Sequence, residues 1–211
     1  MAIETRTKQL IENMIPRRQQ WRWYHGVIFY VIVQVLTFGL SGLVSAIKGG
    51  TGKSLQENIF GNPAYFNALK QSTFAPPSWV FGPAWLVNNV SVILGTWRVL
   101  NKPEDTPGRT SFLALQGASW LNFVVFNAAY FSLRSPINAL VLTFSMFVLT
   151  ILSVLVAIFK LKDTVVALSL ATLFIWLIIA LTAASFQAAW NYDELYHVGP
   201  FVKTNQALLK K

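Results

Sequence analysis

Trp85, Asn88 or Asn89, and Val92 stand at i, i+3/i+4 and i+7, so on a helix they share one face. Gln116, Trp120, Phe123 and Asn127 repeat the pattern, and Trp176, Ala180, Ala183 or Ala184, and Gln187 repeat it again, running on to Trp190 and Asn191. Indoles and amides aligned in this way support two kinds of chemistry. They can stack on a flat apolar molecule and bond its polar edges, or they can join neighbouring helices with no ligand present. The residue pattern leaves both open. It offers no acid–base or nucleophilic chemistry, because the apolar stretches carrying these faces contain no Asp or Glu. Their only Lys or Arg is Arg98, at the end of its stretch, where it can snorkel. The two histidines, His25 and His197, lie near opposite ends of the chain and outside the middle of any stretch, which argues against a haem-ligating pair. The absence of cysteine excludes disulfides, zinc–thiolate sites, iron–sulfur clusters and thiol catalysis. No catalytic residue and no metal ligand is expected.

The elements that must position these faces follow from composition. The 211 residues are 54% hydrophobic and 12% charged, with a mean hydropathy of +0.49, whereas soluble domains carry about 25% charged residues. Five apolar stretches, 24–47, 77–100, 111–133, 136–159 and 164–190, each reach the roughly 20 residues needed to cross hydrocarbon. They lack the alternation of barrel strands. The expectation is an all-α integral membrane protein, a bundle of five transmembrane helices forming one domain over 24–190. A basic amino-terminal tail, 1–23, and a polar carboxyl-terminal tail, 191–211, flank it. The links 101–110, 134–135 and 160–163 are short, which makes successive helices antiparallel neighbours. The first link, 48–73, is long, and Ile59, Phe60, Tyr65, Phe66 and Leu69 give it the apolar content of a lid. Within it, Gly49-Gly50-Thr51-Gly52-Lys53-Ser54 imitates the end of a phosphate-binding loop. Ile47 stands where the first glycine is needed and an apolar helix precedes, so no nucleotide site is expected.

The net charge of +9 resides in tails and links. Arg6, Lys8, Arg17, Arg18, Arg22, Arg98, Lys102, Arg109, Lys160 and Lys162 fall on one side of a five-span topology. They outnumber Lys48, Lys53, Lys70, Arg134, Lys203, Lys210 and Lys211 on the other, which places the amino terminus in the cytoplasm. Glu4 and Glu12 argue against a transit peptide, and the first apolar stretch exceeds the ~7–15 residues of a signal sequence. The leader reads as a juxtamembrane segment meeting anionic lipid. Trp21, Trp23 and Trp97 read as interfacial anchors. The lipid bilayer is the expected partner, and nucleic acid is not, because no basic–aromatic stripe lies on a soluble element.

The segment 74–85 packs three prolines and two tryptophans into a helix start. Pro76 and Pro77 cannot sit inside a helix but are tolerated in its first turn. The pattern F-x-P-P-x-W-x-F-G-P-x-W, formed by Phe74, Pro76, Pro77, Trp79, Phe81, Gly82, Pro83 and Trp85, resembles the TspO/MBR family of tryptophan-rich sensory proteins, translocator proteins and peripheral benzodiazepine receptors. Tyr65-Phe66-Asn67-Ala68-Leu69 looks like the family's W-Y-x-x-L. Ser135-Pro136-Ile137-Asn138-Ala139-Leu140 is similar to the start of its fourth helix, and Trp176 with Ala180 fits its W-x-x-x-A. The similarity runs from about Tyr65 to Asn191 and marks a divergent member. Gln71-Ser72 replaces a Lys-Pro, Asn89 and Val92-Ile93 replace a Tyr and a Met-Gly, Leu121-Asn122 keeps only part of a third-helix element, and Ala184 replaces an asparagine.

The resemblance implies a five-helix bundle of TspO type that holds a hydrophobic ligand between its helices. The most plausible ligand on this basis is a porphyrin or haem-type tetrapyrrole, with a sterol or carotenoid as alternatives, and no cofactor is otherwise implied. Trp85, Asn89, Trp120, Asn122, Trp176 and Ala180 would line the pocket, with Tyr65 and Phe66 reaching in from the lid. Phe74, Pro76, Pro77, Trp79, Gly82 and Pro83 would shape the helix start. The role implied is sensing, regulation or translocation. Light-driven porphyrin breakdown has been attributed to some relatives, but the chain supplies no catalytic group for it. Ala180, Ala184 and Ala188, four residues apart, also make a close-packing seam. The two tails leave a second reading, an accessory subunit of a larger membrane complex handling pigments or carotenoids, whereas a ligand sensor would be a monomer or homodimer.

Overall fold

The computed structural model describes residues 21–47 and 63–210. The leader up to residue 20, most of the first link and the phosphate-loop look-alike lie outside the described residues. Five long helices carry the fold: α1 (Trp23–Ile47), α3 (Phe81–Leu100), α4 (Arg109–Asn127), α5 (Pro136–Leu155) and α7 (Ala171–Trp190). Two short ones, α2 (Pro63–Ala68) and α6 (Thr164–Ser169), precede α3 and α7. The described residues are all helix, turn and loop, apart from two isolated β-bridges. The long helices pack in a ring in the order α1, α4, α5, α7, α3, with α3 returning to α1, and the most extensive contact joins α5 to α7.

Local chemistry sets the helix ends. Pro77 is extended, Ser78–Val80 makes one tight turn, and α3 begins at Phe81 with Pro83 still within the first turn, where no N–H is lost. α5 starts from Ser135, whose hydroxyl oxygen accepts from the Asn138 N–H at 3.1 Å, with Pro136 at the first helical position. α4 and α5 both end in a widened i→i+5 turn, Ala128–Ser132 and Val156–Lys160. The last apolar stretch is broken at Leu170 between α6 and α7. There the Ser169 carbonyl accepts from the Ser91 hydroxyl at 2.7 Å, so the break is satisfied from α3.

The outer surface is apolar. Val27, Ile28, Val31, Ile32, Val35 and Leu36 on α1, and Val141, Phe144, Ile175 and Ile178 on α5 and α7, are exposed. Trp21, Trp23 and Trp79 are exposed near helix ends, as suits interfacial rings. Four helical runs are long and apolar enough to cross a membrane: Trp23–Ile47, Arg109–Ser132, Pro136–Lys160 and Thr164–Trp190. The fifth long helix, α3, is not among them. Its 20 residues include Asn88, Asn89, Ser91, Thr96 and Arg98. This is a multi-pass integral membrane protein.

At one end of the bundle, the carboxylate of Asp163 in the α5–α6 link caps α6 through the Val166 N–H at 3.3 Å. It also pairs with Arg98 at 2.8 Å and Lys102 at 2.7 Å. Burial raises its pKa, but the hydrogen bonds from Lys102 and Arg98 outweigh burial and hold it at about 2, below the usual 3.8. A lowered carboxylate pKa stabilises the fold fully above the unfolded value, and that stability is lost as pH falls through the folded one. The Asp163→Asn variant should therefore lose roughly 2 kcal/mol near neutral pH. Its melting temperature in detergent should converge on the parent's as pH drops from about 4 towards 2.

Gly95 sets the closest approach between α3 and α6. A Cβ placed there would lie 1.9 Å from Ser169 Oγ and 2.9 Å from Ser169 Cβ. Gly95→Ala should cost about 1–3 kcal/mol through overpacking. Combining it with Ser169→Gly should return part of that loss in thermal unfolding, because the clashing side chain is then gone.

Candidate functional site

A cavity of about 340 Å³ lies between the five long helices, at the low end of the roughly 300–1,000 Å³ of small-molecule sites. α7 makes one wall with Trp176, Leu177, Ala180, Ala183, Ala184 and Gln187, and the three small alanines keep that wall recessed. α3 adds Phe81, Gly82 and Trp85; α4 adds Phe123, Phe126 and Asn127; α5 adds Ala139, Leu142, Thr143 and Met146. Tyr30, Gln34 and Phe38 come from α1, Tyr130 and Phe131 from the turn ending α4, and Phe66 and Ser78 from the region between α1 and α3. The rings meet edge to face. Phe81 and Trp176 have centroids 5.4 Å apart, Trp85 and Phe123 5.2 Å, and Trp85 and Trp176 6.4 Å, which fixes the aromatic wall before anything binds.

Tyr30, Gln34, Ser78, Asn127, Tyr130, Thr143, Trp176 and Gln187 bring the polar atoms of this lining. The Tyr130 hydroxyl donates to Gln187 Oε1 at 2.8 Å, which sets the orientation of the amide. Gln187 Nε2 and Trp176 Nε1 are both buried donors without a partner. Among the described residues no charged side chain lines the cavity, and none forms a metal-ligating cluster of three.

Of the residues expected at the site, Trp85, Trp176, Ala180 and Phe66 are brought together on the wall. Asn89, Trp120, Asn122 and Tyr65 are buried outside it. Asn122 donates to the Leu142 carbonyl of α5 at 3.1 Å. Trp120 packs between Phe29 at 5.1 Å and Phe123 at 5.6 Å. Tyr65 sits behind Tyr130 at 5.8 Å, with the Arg134 guanidinium 4.9 Å over its ring. The two readings of the amide faces divide along single helices: on α4, Gln116 donates to Ser153 Oγ of α5 at 2.9 Å, whereas Asn127 reaches the cavity. Sequence reasoning missed Tyr30, Gln34 and Phe38, although their i, i+4, i+8 spacing around an amide was a usable signal. It also missed Tyr130, whose register depends on the widened turn. In the proline segment, Gly82 reaches the wall, Phe74 stacks on Phe186 at 6.1 Å, and Trp79 is 74% exposed.

A family model described as the TspO/MBR family matches residues 31–190. The chain belongs to the TspO/MBR family. A search of the curated proteins gives no match. The family match ends on Trp190, the last residue of α7, and the segment that follows lies beyond it. That segment folds back as a strap over the residues leading into α3. Asn191 accepts from the Lys70 N–H at 2.8 Å and donates to the Lys70 carbonyl at 3.0 Å. Thr73 N donates to the Leu208 carbonyl at 2.8 Å, Lys210 N to the Gln71 carbonyl at 2.8 Å, and Lys210 Nζ to the Ala75 carbonyl at 3.0 Å.

Asp193, 1% exposed, anchors the base of the strap. It accepts from the Ser135 hydroxyl at 2.6 Å and from the Ile137, Leu195 and Tyr196 N–H groups at 3.0 Å each. Glu194 pairs with Arg134 at 2.8 Å. Burial pushes the Tyr65 hydroxyl well above the usual phenol range, Glu194 adds to the rise and Arg134 opposes it, so this side chain stays neutral beneath its cation. Gln71 Nε2 donates to the Phe66 carbonyl, which links the strapped segment to a wall residue. Deleting residues 204–211 should leave the bundle folded but speed amide exchange at Thr73 by roughly ten-fold or more, since its bonded partner is removed. Hydrogen-exchange mass spectrometry of peptides spanning 70–76 checks this.

Proposed function

We propose that this TspO/MBR protein binds a flat hydrophobic small molecule in the cavity between its helices and acts as a sensor, regulator or translocator, not as an enzyme. The supporting observation is the wall itself: edge-to-face aromatic rings around Trp176, a recess of alanines on α7, and the polar side chains of Gln34, Asn127 and Gln187 among them. Trp85, Trp176, Ala180 and Phe66 would touch the ligand, while Asn89, Trp120, Asn122 and Tyr65 would hold the wall from behind. A tetrapyrrole is the first candidate from the family, with sterols and carotenoids behind it. In this reading α3 is the fifth span. Its Leu86, Val87, Val90 and Leu94 are exposed while Asn88 and Asn89 are buried, and it closes the ring between α1 and α7. The charge distribution favours a cytoplasmic amino terminus.

The accessory-subunit reading rests on the two polar extensions, 1–23 and 191–211. The described part of the carboxyl-terminal tail is engaged with its own bundle, which favours a self-contained receptor, as a monomer or homodimer. The test is titration of purified protein with protoporphyrin, and separately with a compact neutral biaryl, following tryptophan quenching. Saturable quenching, weakened several-fold by Trp176→Phe, is expected. Failure of protoporphyrin alone removes the tetrapyrrole; failure of both ligands overturns the binding reading.

A further inference from the structure

The last carbonyls of a helix need donors from beyond its end. On α7 the Asn191 N–H and side-chain amide donate to the Gln187 carbonyl, at 3.2 and 2.9 Å. The Ala189 carbonyl accepts from the N–H groups of Phe201, at 2.9 Å, and Val202, at 3.2 Å. Chain well past the end of α7 is therefore drawn back onto its last turn.

The residues between are shaped for this return. Asp193 and Val198 form a β-bridge, the Asp193 N–H donating to the Val198 carbonyl at 2.8 Å. The Tyr196 hydroxyl donates to Asn138 Oδ1, in the first turn of α5, at 2.9 Å. Gly199 has φ of +88°, and a Cβ there would lie 2.7 Å from the Asn191 carbonyl oxygen, so a glycine is needed where the chain passes. The turn is thus fixed on the ends of α5 and α7.

Its backbone is engaged with the bundle, but its apolar side chains are not. Phe201 is 61% exposed and Val202 52%. Single exposed apolar residues are ordinary on any protein; here depth decides. α7 ends a helical run long and apolar enough to cross a membrane, and such a run ends where hydrocarbon gives way to headgroups. Phe201 and Val202 lie one hydrogen bond from that end. Other rings stand around it: exposed Phe74 stacks on Phe186 of α7 at 6.1 Å, and Phe186 lies 4.7 Å from Trp190. Phe201 and Val202 extend this apolar rim. Lys203 follows them and is exposed, so its stem can lie along the apolar surface while its ammonium reaches phosphate. Residues 195–211 contain three lysines and no Asp or Glu, so no carboxylate opposes their approach to headgroups.

We propose that the turn 196–203 is a lipid-contacting element separate from the spanning helices. Phe201 and Val202 enter the acyl–headgroup boundary of one leaflet, and Lys203 meets its phosphates. The strap is then fastened at two places, by lipid at 201–202 and by residues 71–75 at its far end.

Because the chain has no cysteine, single cysteines can carry spin labels without background. Phe201→Cys and Val202→Cys are labelled in the full chain reconstituted into phosphatidylcholine vesicles. Ile178→Cys on the exposed face of α7 is the lipid reference, and Glu104→Cys in the exposed α3–α4 link is the water reference. Collision with oxygen relative to a water-soluble nickel chelate should be several-fold higher at 201 and 202 than at 104, approaching the value at 178. Ratios at both sites equal to that at 104 would overturn the proposal. Protection from both reagents, with spin–spin broadening that disappears on dilution with unlabelled chain, would place a second copy on this face and overturn it equally. The unmodified chain gives a reading that no substitution can disturb. A hydrophobic diazirine dissolved in the same vesicles and photolysed should insert its carbene at Phe201 or Val202, located by tandem mass spectrometry. Adducts at Ile175 and Ile178 with none at 201–202 would sink the idea.

Discussion

Inside a helix bundle surrounded by lipid, no water is available to satisfy a buried hydroxyl, amide or carbonyl, so each must find a partner within the protein or go unpaired. The rest of this structure is organised around that constraint. Thr37, Thr150 and Ser153 return their hydroxyls to carbonyls one turn back on their own helices. Gln116 reaches across to Ser153 and Asn122 to the Leu142 carbonyl, which joins α4 to α5. Ser41 and Ser45 share Ser132, which joins α1 to the end of α4. Polar side chains that pair in this way determine which helices are neighbours. On Trp176 and Gln187, which line the cavity, the indole N–H and the amide nitrogen do not pair.

The two ends of the bundle are closed differently. At one end the closure is ionic: Asp163 draws Arg98 and Lys102 onto the link between α5 and α6, while Trp97 Nε1 and Asn101 both donate to the Trp21 carbonyl and tie α3 to the start of α1. At the other end the closure is the strap. The backbone of residues 205–210 runs against residues 71–75, and Asp193 collects hydrogen bonds from the start of α5 and from the strap's own turn. The cavity lies near this second end, close to Phe66 and Ser78. The strap, which lies beyond the family match, is joined to the Phe66 end of this lining through Gln71.

Much of the architecture was legible in the sequence. Run length and lack of charge alone marked five long helices at close to their observed positions, because lipid imposes a period and a length that sequence displays directly. The proline segment announced where α3 begins, since proline tolerates few other places in a helix. Family membership followed from the same residues. The candidate site was half legible. Trp85, Trp176 and Ala180 stood on faces that helical spacing displays, and Phe66 came from the family resemblance. Those faces were wider than the cavity, and spacing cannot say which edge of each meets a neighbouring helix.

Thus the sequence by itself determined the long apolar helices and which of their residues share a face, both of which depend on local composition and periodicity. The tertiary structure alone decided which polar groups on those faces pair and which stay open. Pairing depends on the partner helix: Asn122 is consumed by a carbonyl of α5, whereas Gln187 keeps its nitrogen free because Tyr130, placed by a widened turn, takes its oxygen. It also decided that the carboxyl-terminal segment folds back to a long-range β-bridge between Ser72 and Leu209, which no local pattern encodes.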